Sequence, residues 1–338
     1  MDCIKNRTKW VDIAKGFVIL SVVAGHTIKY GNTGPVIRNI FYSFHMPFFF
    51  IMSGYTAKLS DSMEELKIKT KKLFYSLIIP MLTAFIFRTI WYTIVERPEI
   101  NMDFFFNKLY TLLFLFSDNA KYQTYTISEI GYIWFLPTLF LCRTLFNYLN
   151  LVLDKILIPF VICLLSILGY ALSIQQHLFL FSFDIVLTIL PFLFCGNCLK
   201  TLNFFKTPLH HTIYTLLFWS ICFFIQNSLT SEALYLDIIR RVYPMYPFCF
   251  ITAIMGTLFV CYISVLFSHI YISNFIAFIG KHSIVFLIVH YFDYIWQPLW
   301  KAPHDQYIRF FSRALLDLVV FLAVLAIISI IKKAKRSS

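Results

Sequence analysis

The sequence predicts an all-α fold, a polytopic membrane helix bundle of about ten transmembrane helices with both termini in the cytoplasm. Three observations lead there. The 338 residues are 59% hydrophobic and only 14% charged, and the mean hydropathy of +0.74 lies far outside the range of soluble domains. Apolar runs recur along nearly the whole length, each matching the roughly 20 residues needed to cross ~30 Å of hydrocarbon. The basic residues concentrate in the connections that an inside N-terminus would leave on the cytoplasmic side.

The spans follow in order. Lipid cannot satisfy loose backbone polar groups, and continuous apolar runs favour helices over a closed barrel. Runs near 11–30, 36–57, 73–95, 131–149, 156–174, 179–198, 210–229, 247–269, 275–296 and 310–331 read as helices. The stretch 104–116, FFFNKLYTLLFLF, is short for a crossing and reads as interfacial or re-entrant. No soluble domain fits between the runs, so 1–338 reads as one integral-membrane domain.

The first run resembles a secretory signal, because basic residues precede it. Asp12 and Lys15 lie inside it and His26 stands where an export signal would end, which favours an uncleaved signal anchor.

A net charge of +12 raises the question of nucleic acid, but the placement of the charges answers it. Clusters at 58–72 and 332–336 fall inside, whereas the outside connections hold fewer basic residues, among them Arg97, Arg240 and Lys301. This positive-inside pattern predicts a multi-pass protein of the plasma (inner) membrane and needs no nucleic-acid partner.

The inside connection 58–72, KLSDSMEELKIKTKK, is cationic, while the outside stretch 96–130 mixes Glu96, Glu99, Asp103, Asp118 and Glu129 with tyrosines. That asymmetry fits a polyanionic ligand from the cytoplasm and a neutral, ring-shaped ligand such as a sugar from outside. Lipid headgroup attraction and an interfacial aromatic belt explain the same residues equally well.

Eight cysteines, Cys3, Cys142, Cys163, Cys195, Cys198, Cys222, Cys249 and Cys261, lie mostly within predicted spans and do not form a disulfide framework pattern. Cys195-Gly-Asn-Cys198 has redox-motif spacing, yet it closes an apolar helix without a βαβ context and reads as small packing residues.

The chemistry is expected from ionisable residues inside the spans. Lys15 and His26 have ten residues between them. At ~100° and 1.5 Å per residue they share a helix face and lie roughly 16 Å apart along the axis. Such groups cost about 2.5 kcal/mol or more in a lipid-spanning helix, so they usually face a cavity or a partner. His290 has a predicted depth similar to that of His26. His45 lies nearer the bilayer centre and precedes Met46-Pro47, where a kink would open space.

A lone histidine in a bundle is more often a hydrogen-bonded core residue than a catalyst. Three at overlapping depths on separate helices make His26, His290 and His45 catalytic candidates, with His26 first. Imidazole suits acyl transfer, because it can take a hydroxyl proton and return one to a leaving thiolate. No Cys/His cluster has ligand spacing, so no metal is expected. Arg88, Arg143, Asp184 and Asp317 are expected in structural ion pairs or on a pocket wall. Asp293, one turn after His290, is placed to orient that imidazole.

These residues resemble the acyltransferase 3 family of inner-membrane O-acyltransferases. Lys15 and His26 match its basic-x10-His signature, and FYSFHMPFFFIMSGY at 41–55 is similar to its FHMPxFFxxSGY block. Lys69-Thr-Lys-Lys72 corresponds to its basic-x-x-basic motif. IWFLPTLF at 133–140 and GKHSIVFLIVH at 280–290 resemble two later blocks. The resemblance covers the whole chain and is nearest to the fucose 4-O-acetylase-like subgroup. Lys15, Lys69 and Lys72 stand where many members have arginine, which keeps charge but loses bidentate phosphate geometry.

The resemblance implies a cytosolic acetyl-CoA or close acyl-CoA donor and, as acceptor, a hydroxyl of an envelope or exopolysaccharide sugar or a lipid-linked glycan. Lys15, Lys69 and Lys72 would hold the donor's phosphates. Arg88, Tyr55, Glu129 and Asp293 would line the substrate pocket, and Tyr, Ser or backbone groups near 53–55 would donate to the oxyanion. His26 would act as general base or carry the acyl group itself, and both routes are open. A transporter or flippase of lipid-linked sugars would also explain a polar channel with basic gates, as would a scaffold of glycan assembly for the membrane location alone.

Overall fold

A computed structural model of the chain describes residues 8–28, 34–116, 120–122, 125–175, 179–202, 204–206, 208–229 and 236–337. Cys3 and Asp118 lie outside these residues, as does the N-terminal segment up to residue 7. Among the described residues, fifteen α-helices follow one another. They are α1 Lys9–Thr27, α2 Gly34–Tyr42, α3 His45–Thr56, α4 Met63–Glu96, α5 Met102–Phe114, α6 Phe135–Val152, α7 Leu157–Ile174, α8 Phe183–Thr188, α9 Leu190–Thr201, α10 Pro208–Leu229, α11 Phe248–Phe267, α12 Ser273–Lys281, α13 Ser283–Tyr291, α14 Gln297–Lys301 and α15 Gln306–Ser337. A short antiparallel hairpin pairs Ala120–Tyr122 with Tyr125–Ile127, and a 3-10 turn, Gly131–Trp134, leads into α6.

Among the described residues, seven helices are long and apolar enough to cross a membrane, and nine if each bent pair counts as one span. The all-α, multi-pass expectation therefore stands, with a lower count than ten. The run 179–198 is divided between α8 and α9, bent by 49°, and 275–296 contains α12 and α13, bent by 72°. The run 36–57 is also not one helix, because it turns at Ser43-Phe44 between α2 and α3. Hydropathy counts apolar side chains whether or not the helix continues, so these breaks leave no trace in it. At 104–116 the observed helix, α5, has 13 residues, a rise of about 20 Å, which is too short to cross.

α1 is the most enclosed of the seven long helices and α15 the most exposed. Helices in lipid approach one another closely only where side chains are small. Gly54 of α3 lies against the Leu193 carbonyl of α9, and Gly196 of α9 against the Ile51 carbonyl of α3. This crossing absorbs both the SGY block and the Cys195-Gly-Asn-Cys198 segment. No disulfide joins the described cysteines, which are all free.

Asp184 of α8 resolves into an ion pair, accepting from Arg241 Nε at 2.6 Å and Nη2 at 3.0 Å, with Ser173 of α7 donating to the same carboxylate at 2.9 Å. This pair holds Arg241 in place, and the residues just before it, Leu236–Arg240, wall the cavity described next.

Candidate active site

A cavity of about 890 Å³ runs through the bundle. Helix geometry fixes its direction. Lys15 and His26 on α1 both line it, as do His45 and Thr56 on α3, Ser76 and Arg88 on α4, and Tyr132 and Arg143 around α6. In each pair the two residues are eleven or twelve apart, about 16–18 Å along a helix. One end is therefore marked by Lys15, Thr56, Ser76 and Arg143. The other is formed by Arg38, Asp237, Arg240, Lys301 and Arg309.

Between the ends, rings crowd together. Tyr132 stacks on His290 at 4.7 Å between centroids and lies 4.4 Å from His26. The two imidazoles are 5.9 Å apart, matching the similar depth expected from sequence. Tyr42 bridges the other two histidines: its hydroxyl is 3.2 Å from His26 Nδ1 and its ring 4.6 Å from His45. His45 Nδ1 donates to the Phe41 carbonyl at 2.8 Å. A carbonyl can only accept, so that proton is assigned to Nδ1.

Behind the rings lies a buried charged cluster. His290 Nδ1 is 2.8 Å from Asp317 Oδ2 and 3.2 Å from Asp293 Oδ2. Both neighbours are carboxylates, so Nδ1 carries the proton. Trp296 Nε1 donates to the second oxygen of Asp317 at 3.0 Å. Arg313 of α15 donates from Nε to Asp293 Oδ2 at 2.5 Å, from Nη1 to Thr27 Oγ1 at 3.0 Å and from Nη2 to the Tyr132 hydroxyl at 3.3 Å. One guanidinium thus ties together α1, the 3-10 turn, the residues after α13, and α15. His290 and Asp317 are 1% and 0% exposed, and His290 Nε2 is buried without a hydrogen-bond partner.

Donor atoms of His290, Asp293 and Asp317 lie within 4.8 Å of one another, a spacing compatible with a metal ion. The contacts favour another use. The Nδ1 proton already faces both carboxylates, and the Arg313 guanidinium holds Asp293, so the group carries its own counter-charge.

The sequence-selected residues divide. His26, His45, Lys15, Arg88, Glu129 and Asp293 line the cavity. His290 stands directly behind its wall. Arg88 donates to the Tyr291 carbonyl at 3.4 Å, and its guanidinium lies over the rings of Tyr291 and Tyr294. Three residues fall elsewhere. Tyr55 is off the lining because its ring packs against Trp10 and Phe205 at 5.5 and 5.7 Å. Residues 53–55 are the last turn of α3 rather than a loop, and it is Ser53 that reaches the cavity, with its Oγ buried and without a partner.

Lys69 and Lys72 do not line the cavity either. Lys69 Nζ donates to the Leu59 carbonyl at 2.6 Å and pairs with Glu65 at 2.7 Å, and this contact holds the Glu65 carboxyl below its usual range. Lys72 is exposed at the same end of the protein as Lys15.

Sequence reasoning missed Arg313, Tyr132 and Tyr42. Arg313 had a signal: it precedes Asp317 by one helical turn within an apolar run, where two ionisable groups on one face point to a buried pair. Tyr132 and Tyr42 are 2 of 20 tyrosines, and nothing local distinguishes them.

The acyltransferase domain family model (Acyl_transf_3) matches residues 8–333 of the chain. No curated protein and no solved structure gives a significant match.

Proposed function

Because the chain belongs to the acyltransferase 3 family, we propose that it is a membrane O-acyltransferase moving an acetyl or similar acyl group from cytosolic acyl-CoA to a hydroxyl of an envelope or exopolysaccharide sugar, or of a lipid-linked glycan. The observation that carries this reading is a single cavity with Lys15 near one end, basic residues at the other, and His26 between them.

The anionic part of the donor sits at the Lys15 end, with Arg143 on the same stretch of wall and Lys69 and Lys72 on the approach. Its pantetheine arm extends toward His26. The sugar occupies the end walled by Arg38, Asp237 and Lys301, where the rings of Tyr132, Tyr294 and Trp300 offer apolar faces.

His26 takes the proton of the sugar hydroxyl as its oxygen forms a bond to the thioester carbonyl carbon. The C–S bond then breaks, and the imidazolium returns the proton to the departing thiolate. Tyr42, on His26 Nδ1, orients the ring. His290, with its proton held toward Asp317, backs the reaction centre through Tyr132, and His45 walls it. Ser53 Oγ is a candidate donor from α3. Held in one cavity, donor and acceptor react as if intramolecularly, which accounts for much of the rate such an enzyme needs.

A cavity basic at both ends also suits a transporter of lipid-linked sugars, and one experiment separates the two. Purified protein in vesicles is supplied with labelled acetyl-CoA and a lipid-linked glycan fraction. Label on the glycan supports transfer; sugar movement without label rejects it. Mass spectrometry of surface glycans from cells with and without the gene then identifies the acceptor by the loss of one acetyl mass per modified residue.

A further inference from the structure

The lysines of Lys67-Ile-Lys69-Thr-Lys71-Lys72 do not act as one patch. Lys69 turns back to Glu65 and Leu59. Lys67 and Lys71, four apart, share a different stripe of α4 with Thr70, Phe74 and Tyr75, the spacing of one helix face. That stripe forms one wall of a second groove of about 620 Å³. The other wall is α6, through Phe140, Leu141, Thr144 and Tyr148.

The groove shares no lining residue with the central cavity, which takes the opposite flank of the same two helices through Leu73, Ser76, Leu77, Leu139 and Arg143. Its chemistry is graded. The two lysines are exposed at the end near the start of α4, and neither is in an ion pair among the described residues. Away from them the walls are aromatic and aliphatic, and Phe74, Tyr75, Tyr148 and Phe183 remain 38–60% exposed. Thr144 Oγ1 is buried there without a partner.

We propose that this groove binds an anionic glycerophospholipid, with the headgroup phosphate on Lys67 and Lys71 and one acyl chain along Phe74, Phe140 and Tyr148. The charge complementarity selects the occupant. A lysine at the membrane boundary extends its ammonium to the headgroup layer while its stem stays apolar, and a hydrocarbon chain matches the rest of the groove. A soluble anion would leave the aromatic walls unused, and a neutral lipid would leave the two charges unanswered. Being separate from the acyl-transfer cavity, the site is independent of the reaction assigned to it.

The test is lipid retention by the full-length protein. Wild type and a Lys67→Gln/Lys71→Gln double variant are purified from mixed vesicles of phosphatidylglycerol and phosphatidylcholine, and bound lipid is measured by native mass spectrometry. A Lys332→Gln/Lys333→Gln variant, altered at the far end of α15, serves as control. The wild type is expected to retain phosphatidylglycerol selectively. The double variant should lose affinity by roughly ten- to thirty-fold, as expected for two lysines near a charged headgroup layer, and the control should keep it. Equal retention by wild type and double variant, equal retention of phosphatidylcholine, or an equal loss in the control would each overturn the proposal.

Discussion

His290 and Asp317 hold each other at 2.8 Å from two different helices, α13 and α15, with Trp296 completing the carboxylate. This contact fixes which ring nitrogen of His290 bears the proton. Asp317→Asn is isosteric but can turn an N–H toward Nδ1, which leaves Asp293 Oδ2, at 3.2 Å, as the one carboxylate holding the proton there. Turnover should fall by roughly tenfold while KM for both substrates moves less than about threefold. Steady-state transfer of labelled acetyl groups checks it, and wild-type turnover would remove His290 from the mechanism.

His26 and Tyr42 should differ in severity. Removing the imidazole with His26→Ala is expected to cost at least about 10²-fold in turnover. Tyr42→Phe deletes the hydroxyl that faces His26 Nδ1 and should cost about five- to tenfold. Comparable losses in the two variants would mean that Tyr42 does more than orient the ring.

Arg313 is the counter-charge of a buried carboxylate, so its loss should appear as instability. Arg313→Ala takes the guanidinium from Asp293 and leaves it only the His290 contact at 3.2 Å, and is expected to destabilise the protein by about 3–5 kcal/mol. Adding Asp293→Asn should recover part of that loss. Thermal unfolding in detergent micelles measures both, and an Arg313→Ala protein that melts with wild type would contradict the pairing.

The lysines at the proposed donor end should separate by location. Lys15→Gln, on the cavity wall, should raise KM for acyl-CoA about tenfold, as for loss of one charged phosphate contact. Lys72→Gln, at an exposed position, should change it by less than about twofold and only at low salt. The reverse order would place the donor outside the cavity.

Gly196 meets a backbone carbonyl where α9 crosses α3. Gly196→Ala cannot be relieved by rotating a side chain, and a cost of about 1–3 kcal/mol is expected. Unfolding in micelles tests this, with Ala at exposed Cys163 of α7 as the neutral comparison.

Most spans were legible because hydrocarbon demands long apolar stretches, and the chain supplies them. The breaks at Ile189 and His282 were not, because hydropathy does not register where a helix bends, whereas the break at Ser43-Phe44 lies four residues before Pro47, the residue expected to kink that run. In the site, Lys15, His26, Arg88 and Asp293 stood out as charges or imidazoles in apolar surroundings, and all line the cavity. Tyr55 lies off the lining because its ring packs against Trp10 and Phe205. Lys69 lies off it too, paired with a glutamate one turn earlier.

The crowding of Tyr132, His26 and His290 midway along the cavity has a consequence for the membrane itself. A polar passage open at both faces is an electrical short circuit, and a cell that stores energy as a proton gradient cannot tolerate one. The rings packed at 4.4 to 5.9 Å present aromatic faces there, which hold a file of water less well than charged side chains do. The residues proposed to hand over an acyl group would therefore also hinder protons from following it.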